Sequence, residues 1–371
     1  MSDTERFAAL QLLRTPGVGP VTWRQLVQRF GSALRAIDAL PDLAARGGRR
    51  LTLADAHGVA AEFDRVASLG ARHIFLTDAD YPELLAETEG APGAVIVRGD
   101  MALTQRPSLA MVGARNASAI ACRFARQIAA ELAREGVTIV SGLARGIDTA
   151  AHVGAMGQYG SGGGTIGVIG SGIDVAFPPE NAVLQDELGK SQLLIAEQPP
   201  GTQPLARHFP ARNRIIAGLA LGTLVVEAAP KSGSLITARR AAEFGREVMA
   251  VPGSPLDPRA QGCNLLIREG ATLIQSAADV LEMLRPIDSR MLREPGRDWR
   301  HDGGQDWHAD ADADDAERRR VTQLLGPAPV PVDELVRQSG CSASIVSLVL
   351  LELELAGRLE RHAGGRVSRV V

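Results

Sequence analysis

Apolar residues recur with two different periods along the middle of the chain. Short β-branched apolar runs alternate there with stretches of helical period, such as 119–135, where Phe124, Ile128 and Leu132 follow one another at four-residue spacing. The predicted strands lie at 109–112, 137–140, 165–169, 193–196, 223–226, 247–251 and 271–274. Strands that alternate with helices in this way predict a parallel sheet covered on both faces, an extended Rossmann-like α/β domain.

The two flanking regions have different patterns. The first 70 or so residues carry no strand pattern and look helical. The stretch ADADADDAE at 309–317 has almost no aliphatic residues, which is typical of a solvated linker. From Arg318 three helical patterns and a Gly364-Gly365 turn follow in the order of a winged helix. The predicted domains are a small all-α domain at 1–72, the Rossmann-like domain at 75–286, a linker at 287–316 and a winged-helix-like domain at 317–371.

Composition narrows the possible partners. The apolar fraction of 45% and charged fraction of 22% are those of an ordinary folded protein, and the net charge is -3. A nucleic-acid site must therefore be a local concentration of Arg and Lys. The three cysteines, Cys122, Cys263 and Cys341, are too far apart to suggest a zinc site or a disulfide framework. Because no apolar run approaches about 18 residues, we expect a protein of the reducing cytoplasm without membrane insertion.

The turns after the first five predicted strands carry glycine, serine or a cation. Ligands of parallel sheets bind beyond the carboxyl ends of the strands, and backbone amides combined with cations suit phosphate groups. We therefore predict a basic crevice at this edge of the sheet. Its expected binding residues are Gly113, Arg115, Ser141, Gly142, Arg145, Gly146, Gly170, Arg207, Phe209, Arg212, Asn213, Lys231, Ser232, Gly233 and Ser234, with Arg214 as a further cation. Any one cation has an alternative role as a surface charge or salt-bridge partner, but six of them converge here.

Several of these residues have expected individual roles. Ser141 and the neighbouring glycines should donate hydrogen bonds to phosphate, since they form a turn before a helix. Asp148 should cap that helix and orient Arg145, and His152 should be structural. Phe209 is a candidate base-stacking ring, although buried packing is the favoured role.

The terminal regions offer two further elements. The stretch TPGVGP at 15–20 resembles a helix-hairpin-helix turn, whose amides can meet a DNA phosphate, but a tight turn between packed helices is the favoured interpretation. The third helix of the winged-helix pattern, at 342–356, carries no Lys or Arg. Because DNA-reading helices face phosphates, this absence favours a docking role.

Six motifs together resemble the bacterial DNA-processing protein A family, DprA, also called Smf. They are GAR at 113–115, SGLARGIDTAAH at 141–152, GSGID at 170–174, FPARNRIIAG at 209–218, SGSLITA at 232–238 and VPG at 251–253. The resemblance implies a protein of natural transformation that binds and protects incoming single-stranded DNA. It also implies a homodimer formed through the Rossmann domain, help in loading the RecA recombinase, and neither a catalytic cycle nor a cofactor. Phe177 departs from the family, whose members often have tyrosine there.

Two enzyme classes are alternatives to a DNA-binding protein. GGGTIG at 162–167 has dinucleotide-binding spacing, but it runs into a strand instead of following one, so we predict a surface loop and no NAD site. The lysine-decarboxylase-like phosphoribohydrolases are similar in architecture and carry a catalytic glutamate after a glycine-rich turn. Thr237 stands at that position here, and a hydroxyl cannot replace a carboxylate at neutral pH. The sequence also lacks a P-loop and a plausible metal cluster.

Overall fold

The computed structural model describes residues 1–48, 51–158, 160, 162–284, 312–362 and 364–370. The chain divides into two compact units, a central unit, Glu62–Arg293, and a terminal unit that combines Met1–Ala61 with Glu294–Val371. The linker predicted at 287–316 lies outside the described residues up to residue 311.

A nine-stranded sheet forms the middle of the central unit. Its strands are β1 (Arg72–Phe75), β2 (Ala94–Gly99), β3 (Ser108–Gly113), β4 (Thr138–Ser141), β5 (Thr165–Gly172), β6 (Leu193–Gln198), β7 (Gly222–Val226), β8 (Glu247–Ala250) and β9 (Thr272–Leu273). The strand order is β1-β2-β6-β5-β4-β3-β7-β8-β9. Strands β3 to β9 pair in parallel, which confirms the predicted sheet. The sequence interpretation missed β1 and β2, which pair with each other and with β6 in antiparallel fashion.

Helices cover both faces of this sheet. They are α5 (Glu83–Ala86), α6 (Ala119–Arg134), α7 (Ile147–Met156), α8 (Ala182–Ser191), α9 (His208–Gly218), α10 (Ser234–Glu243), α11 (Gln261–Arg268) and α12 (Ala277–Leu284). Within β3, Leu109 and Met111 belong to one buried cluster, and Ala110 and Val112 to another. Because successive side chains of a strand point to opposite faces, both faces of the sheet are buried.

The glycine-rich segment before β5 is packed, not exposed. Gly162, Gly163 and Gly164 are buried, and a Cβ atom at Gly162 or Gly163 would collide with the backbone of Ala133 or Val137. The prediction of a surface loop is therefore wrong for these residues. Glycine is required because the chain passes directly over the connection between α6 and β4.

The terminal unit joins the first three helices to the winged-helix domain. Its elements are α1 (Asp3–Arg14), α2 (Pro20–Phe30), α3 (Ala33–Arg46), α13 (Asp315–Leu324), β10 (Val330–Pro331), α14 (Val332–Ser339), α15 (Ala343–Leu355), β11 (Leu359–His362) and β12 (Arg366–Arg369). Helix α4 (Ala56–Ser68) contains the division between the two units. The three small strands pair in the order β10-β12-β11, which confirms the predicted winged helix.

Helix α15 is the shared core of the terminal unit. It packs against α2 and α3 as well as against α13 and α14. Glu352 of α15 is 2% exposed and accepts hydrogen bonds from Arg318 at 2.9 and 3.0 Å. Thr22 in α2 donates a hydrogen bond to Glu354 at 2.8 Å. The cation-free helix thus packs on the N-terminal helices of its own chain, and the docking role of the winged-helix domain remains a prediction.

Within the described residues, no single helix is long and apolar enough to cross a membrane. Helices α14 and α15 reach the required length and apolar character only as a pair, which is bent by 117°.

Candidate nucleic-acid interface

A crevice of about 800 Å³ lies beyond the carboxyl ends of β3 and β7. Its wall combines the turn after β3, the turns after β4 and β7, and the first residues of α9 and α10. The predicted residues that line it are Gly113, Arg115, Phe209, Arg212, Asn213, Lys231, Ser232, Gly233 and Ser234. A smaller neighbouring cavity, about 40 Å³, is lined by Arg115, Gly142, Arg145, Phe209 and Arg212. The sheet topology therefore brings most of the predicted set together.

The open part of the crevice is the turn at 230–234. Lys231 and Gly233 are exposed, and Lys231 has no ion pair with any residue that the structure describes. Helix α10 begins at Ser234 with no acidic residue in its first turn and no side-chain cap on Gly233. The first amides of a helix have no partner within the helix and carry a partial positive charge. In α10 the N–H of Ser234 lies 3.4 Å from Oγ of Ser232, and the N–H groups of Leu235 and Ile236 donate to the carbonyls of Ser232 and Gly233. This turn therefore presents the exposed Lys231 beside the positive end of the helix dipole.

The turn at 141–146 is closed by the protein's own carboxylate. Oδ2 of Asp148 accepts hydrogen bonds from the backbone N–H groups of Gly142 at 3.1 Å and Ala144 at 3.3 Å. Asp148 is 6% exposed, and burial raises its pKa while the charge of Arg212 and the two amides oppose that rise. The prediction that the Gly142 amide faces phosphate is therefore wrong in this structure.

Ser141 also points away from the crevice. It is completely buried, and its hydroxyl donates a hydrogen bond to the carbonyl of Met111 at 2.6 Å. Its predicted role as a phosphate donor is wrong, because the side chain links two neighbouring strands inside the sheet. Gly146 lies just before α7 with a φ of 77°. A Cβ atom there would collide with the carbonyl of Ala114, so its role is to allow a close backbone approach.

Arg212 is an internal cation. It is 6% exposed, and its Nη1 donates a hydrogen bond to the carbonyl of Val168 at 2.9 Å. Burial lowers its pKa to about 10, and the charge of Asp148 counteracts that effect. Its guanidinium lies against Gly142, where a Cβ atom would overlap it. Arg212 therefore remains charged at neutral pH and is almost completely buried in the wall that the two cavities share.

Phe209 is half-buried and forms part of both cavity walls. The Cζ atoms of Arg115 and Arg212 lie 5.4 and 5.9 Å from its ring centroid, and the ring of Phe177 lies at 5.7 Å. The favoured prediction of buried packing is therefore wrong. Two guanidinium groups hold the ring at the crevice wall through cation–π contacts, which leaves part of it accessible.

The remaining predicted residues lie outside the two cavities or at their edge. Gly170 lies under the ring of Phe209, where a Cβ atom would come within 3.5 Å of Cδ1. Arg207 is exposed at the start of α9. Arg214 is held by Glu197 at 2.5 Å and does not line either cavity. Arg145 is exposed in the smaller cavity and lies 3.7 Å from Glu180, so Asp148 does not orient it as predicted.

Sequence reasoning missed two residues of the interface. Arg259 lines the crevice and pairs with Asp257 at 2.8 Å. It belongs to the connection between β8 and α11, nine residues after β8 ends, so only a search along the whole connection after the next strand would have found it. Phe177 is 39% exposed and lines the smaller cavity. In the sequence analysis Phe177 was noted only because family members often have tyrosine at this position. Nothing in the sequence indicates that it contacts Phe209.

His152 lies outside this interface. It is completely buried, and its Nδ1 lies 2.8 Å from the hydroxyl of Thr165. Burial lowers its pKa to about 3, so the imidazole is neutral at physiological pH.

Three family models match the chain along most of its length. DNA recombination-mediator protein A matches residues 72–285, the DprA-like N-terminal HHH domain matches residues 3–64, and the DprA winged helix domain matches residues 306–365. The chain belongs to the DprA family, also called Smf. The resemblance inferred from the six motifs is thereby confirmed.

Curated relatives agree with this assignment. DNA processing protein DprA of Streptococcus pneumoniae is 46% identical over 63% of this chain and 79% of its own. Protein Smf of Escherichia coli is 39% identical over 80% of this chain and 77% of its own. Protein Smf of Synechocystis is 31% identical over the full length of both chains.

Solved DprA structures share the fold. The X-ray structure of DprA from S. pneumoniae has a TM-score of 0.66 and 37% identity, and the match covers 76% of this chain and 98% of that one. A structure of DNA processing protein A from Helicobacter pylori has a TM-score of 0.52 and 26% identity, covering 58% and 96%. That structure is described as revealing a single-stranded DNA binding mode.

Proposed function

We propose that this chain binds single-stranded DNA in the crevice beyond β3 and β7. In this proposal it acts in natural transformation in the cytoplasm, protects incoming strands and helps load the RecA recombinase, without a cofactor. The proposal rests on one observation: a single crevice is lined by Arg115, Lys231, the start of α10 and the ring of Phe209.

Each of these groups suits one part of a DNA strand. The planar guanidinium of Arg115 can form two parallel hydrogen bonds to phosphate oxygens, and Lys231 supplies a mobile point charge. The N-terminus of α10 favours an anion close to Lys231. The accessible part of the Phe209 ring offers a stacking surface for a base, and such stacking is tolerant of sequence.

The size of the crevice favours a single strand over a duplex. A volume of about 800 Å³ is in the range of small-ligand pockets and accommodates a few nucleotides of a flexible strand. A double helix is too wide to enter it. The single-stranded DNA binding described for the H. pylori relative supports the same substrate.

The carboxylates beside the crevice support binding instead of hydrolysis. Thr237, at the position of the phosphoribohydrolase glutamate, is 1% exposed in the crevice wall. Asp148 is engaged by two amides. Glu227 accepts hydrogen bonds from the N–H and hydroxyl groups of Ser118 at 2.8 and 2.6 Å. A carboxylate that acts as a general base must lie within hydrogen-bond reach of the proton that it removes, and both of these acids already accept hydrogen bonds from protein groups.

Homodimerisation is part of the same proposal. Strand β9 is at one edge of the sheet, and Leu265 and Leu273 near that edge are 39% and 44% exposed. An edge strand with exposed apolar side chains suits pairing with a second copy. The RecA interaction rests on membership of the DprA family.

Binding of one oligonucleotide and its duplex to the full chain, at two salt concentrations, tests the proposal. We expect tighter binding of the single strand. If about four phosphates are neutralised, log affinity should fall with log salt at a slope near -3, because each phosphate contributes roughly 0.7. Equal affinity for the two forms would contradict the crevice as the binding site.

A further inference from the structure

An acidic side chain lines the wall of a crevice that otherwise collects cations. Asp148 lines the larger cavity and is almost completely buried there. Burial raises its pKa, whereas the charges of Arg212 and Arg115 and the amides of Gly142 and Ala144 oppose that rise. A buried carboxylate requires hydrogen-bond partners to be stable, and Asp148 obtains them from Gly142 and Ala144.

The carboxylate of Asp148 takes the place that a phosphate group would take in this turn. Backbone amides that point to one side of a turn form an anion-binding arrangement. The amides of Gly142 and Ala144 in the turn before α7 are arranged in this way, and Asp148 in the first turn of α7 fills the place of the anion. Its negative charge is balanced locally by the buried Arg212 in the same wall. Asp148 and Arg212 form the inner wall of the crevice, whose net charge is therefore close to zero. Arg115 and Lys231, by contrast, are exposed at the rim.

Without Asp148, the inner wall would carry the positive charge of Arg212. Its guanidinium lines both cavities. Its Nε atom is buried without a hydrogen-bond partner among the described residues. Removal of the Asp148 charge would leave this cation uncompensated at the crevice wall, which favours the binding of an anion there.

We infer that Asp148 is a specificity-determining residue that excludes small phosphate compounds from the inner crevice and so reserves it for polynucleotides. The inference rests on the proposed single-stranded DNA binding. A nucleoside monophosphate or inorganic phosphate carries about -1.5 to -2 charges on one compact group and depends on a single strong site. A DNA strand carries one charge per phosphodiester and binds through several rim contacts at once, so a closed inner site affects it less.

The experiment compares the parent with Asp148→Asn and Asp279→Asn. Asparagine preserves the size of the side chain and one acceptor oxygen but removes the charge. Asp279 is a matched control, because it accepts hydrogen bonds from the amides of Gln275 and Ser276 at the start of α12 and does not line the crevice. Inorganic phosphate, deoxyadenosine monophosphate and a single-stranded oligonucleotide are titrated calorimetrically into each protein, after its thermal transition has shown that it is folded.

We expect Asp148→Asn to bind phosphate and the monophosphate at least tenfold more tightly than the parent, with a smaller gain for the oligonucleotide. The control should bind all three ligands like the parent. A folded Asp148→Asn protein with unchanged affinity for both small ligands would overturn the inference. Failure of the parent to bind the oligonucleotide would instead overturn the proposed function.

A competition assay on the parent covers the case in which Asp148→Asn does not fold. Millimolar deoxyadenosine monophosphate should displace the oligonucleotide no more than sodium chloride of equal ionic strength does. Stronger displacement by the monophosphate would show that the inner site is open in the parent, and would overturn the inference.

Discussion

The turns at 141–146 and 230–234 are alike in sequence and different in structure. Each follows a buried parallel strand, combines glycine and serine with a cation, and leads into a helix. In the first, Asp148 occupies the amides. In the second, the helix has no acid in its first turn and Lys231 is exposed. Glycine and serine thus predict a turn at this edge of the sheet, but they do not predict which group its amides meet. In the first turn that group is the carboxylate of Asp148, and in the second it is Ser232 and Gly233 of the turn itself.

The hairpin at 15–20 adds a case that local sequence cannot resolve. Its helix, α2, has no acid in its first turn, as in the open turn of the crevice. The carboxylate of Glu354 nevertheless accepts a hydrogen bond from Thr22 in that turn, across a sequence separation of 332 residues. This contact supports the favoured interpretation of the hairpin as a packed turn.

The largest expected effect on single-strand binding concerns Lys231 in the open turn and Arg115 beside it. Lys231→Ala and Arg115→Ala should each weaken single-strand binding by about 1–3 kcal/mol, or roughly 5- to 150-fold, because each removes a charge-assisted contact. Arg115→Lys should recover only part of the loss, since an ammonium has no planar fork. Fluorescence anisotropy measures the affinities, and thermal unfolding verifies the fold. Parent-like affinity in both alanine variants would contradict the assignment.

The closed turn should respond in stability instead of binding. Ser141→Ala removes a buried hydroxyl and leaves the carbonyl of Met111 without this donor, so the free energy of unfolding should fall by about 1–2 kcal/mol. Oligonucleotide affinity should stay within twofold of the parent. Chemical denaturation and the same anisotropy assay provide the two readouts. A marked loss of affinity without a loss of stability would restore Ser141 as a phosphate donor.

A smaller effect is expected at the hairpin. Thr22→Val preserves the shape of a side chain that is 1% exposed but removes its hydrogen bond to Glu354. The free energy of unfolding of the terminal unit should fall by about 1 kcal/mol, and single-strand binding should not change. Hydrogen exchange of α2 amides reports the local stability. Weaker DNA binding in this variant would assign a DNA contact to the hairpin.

The smallest effect belongs to Arg145. Its guanidinium is exposed beside Glu180 at 3.7 Å, and exposed pairs of this kind contribute little. Arg145→Ala should weaken single-strand binding by about 0.5 kcal/mol or less, in the same anisotropy assay. A loss as large as that of Lys231→Ala would show that the closed turn also binds phosphate.

The parallel strands were predictable from the local pattern of apolar residues, whereas two other strands were not. Strands β3 to β9 were predicted because apolar runs alternate with helices that cross over between them. Between β1 and β2 lies only the four-residue helix α5, and both strands are antiparallel to their neighbours. A rule based on strand and helix alternation therefore misses them.

The site was predictable to the extent that it depends on strand ends. Arg115 and Lys231 emerge at the crevice because parallel strands end at one edge of a sheet. The positions of Ser141 and Arg212 depend on the carbonyls of Met111 and Val168, 30 and 44 residues away. Whether a side chain turns inward to such a partner is decided by packing, which residue pattern does not encode.

The salt dependence of oligonucleotide binding, in the parent and in Lys231→Ala, tests most directly whether the open turn meets a DNA phosphate. We expect a log–log slope near -3 for the parent and a slope less steep by about 0.7 for the variant, because one phosphate contact is lost. An equal slope for both proteins, with the variant folded and binding more weakly, would show that Lys231 acts without neutralising a phosphate and would contradict the proposed contact between the open turn and DNA.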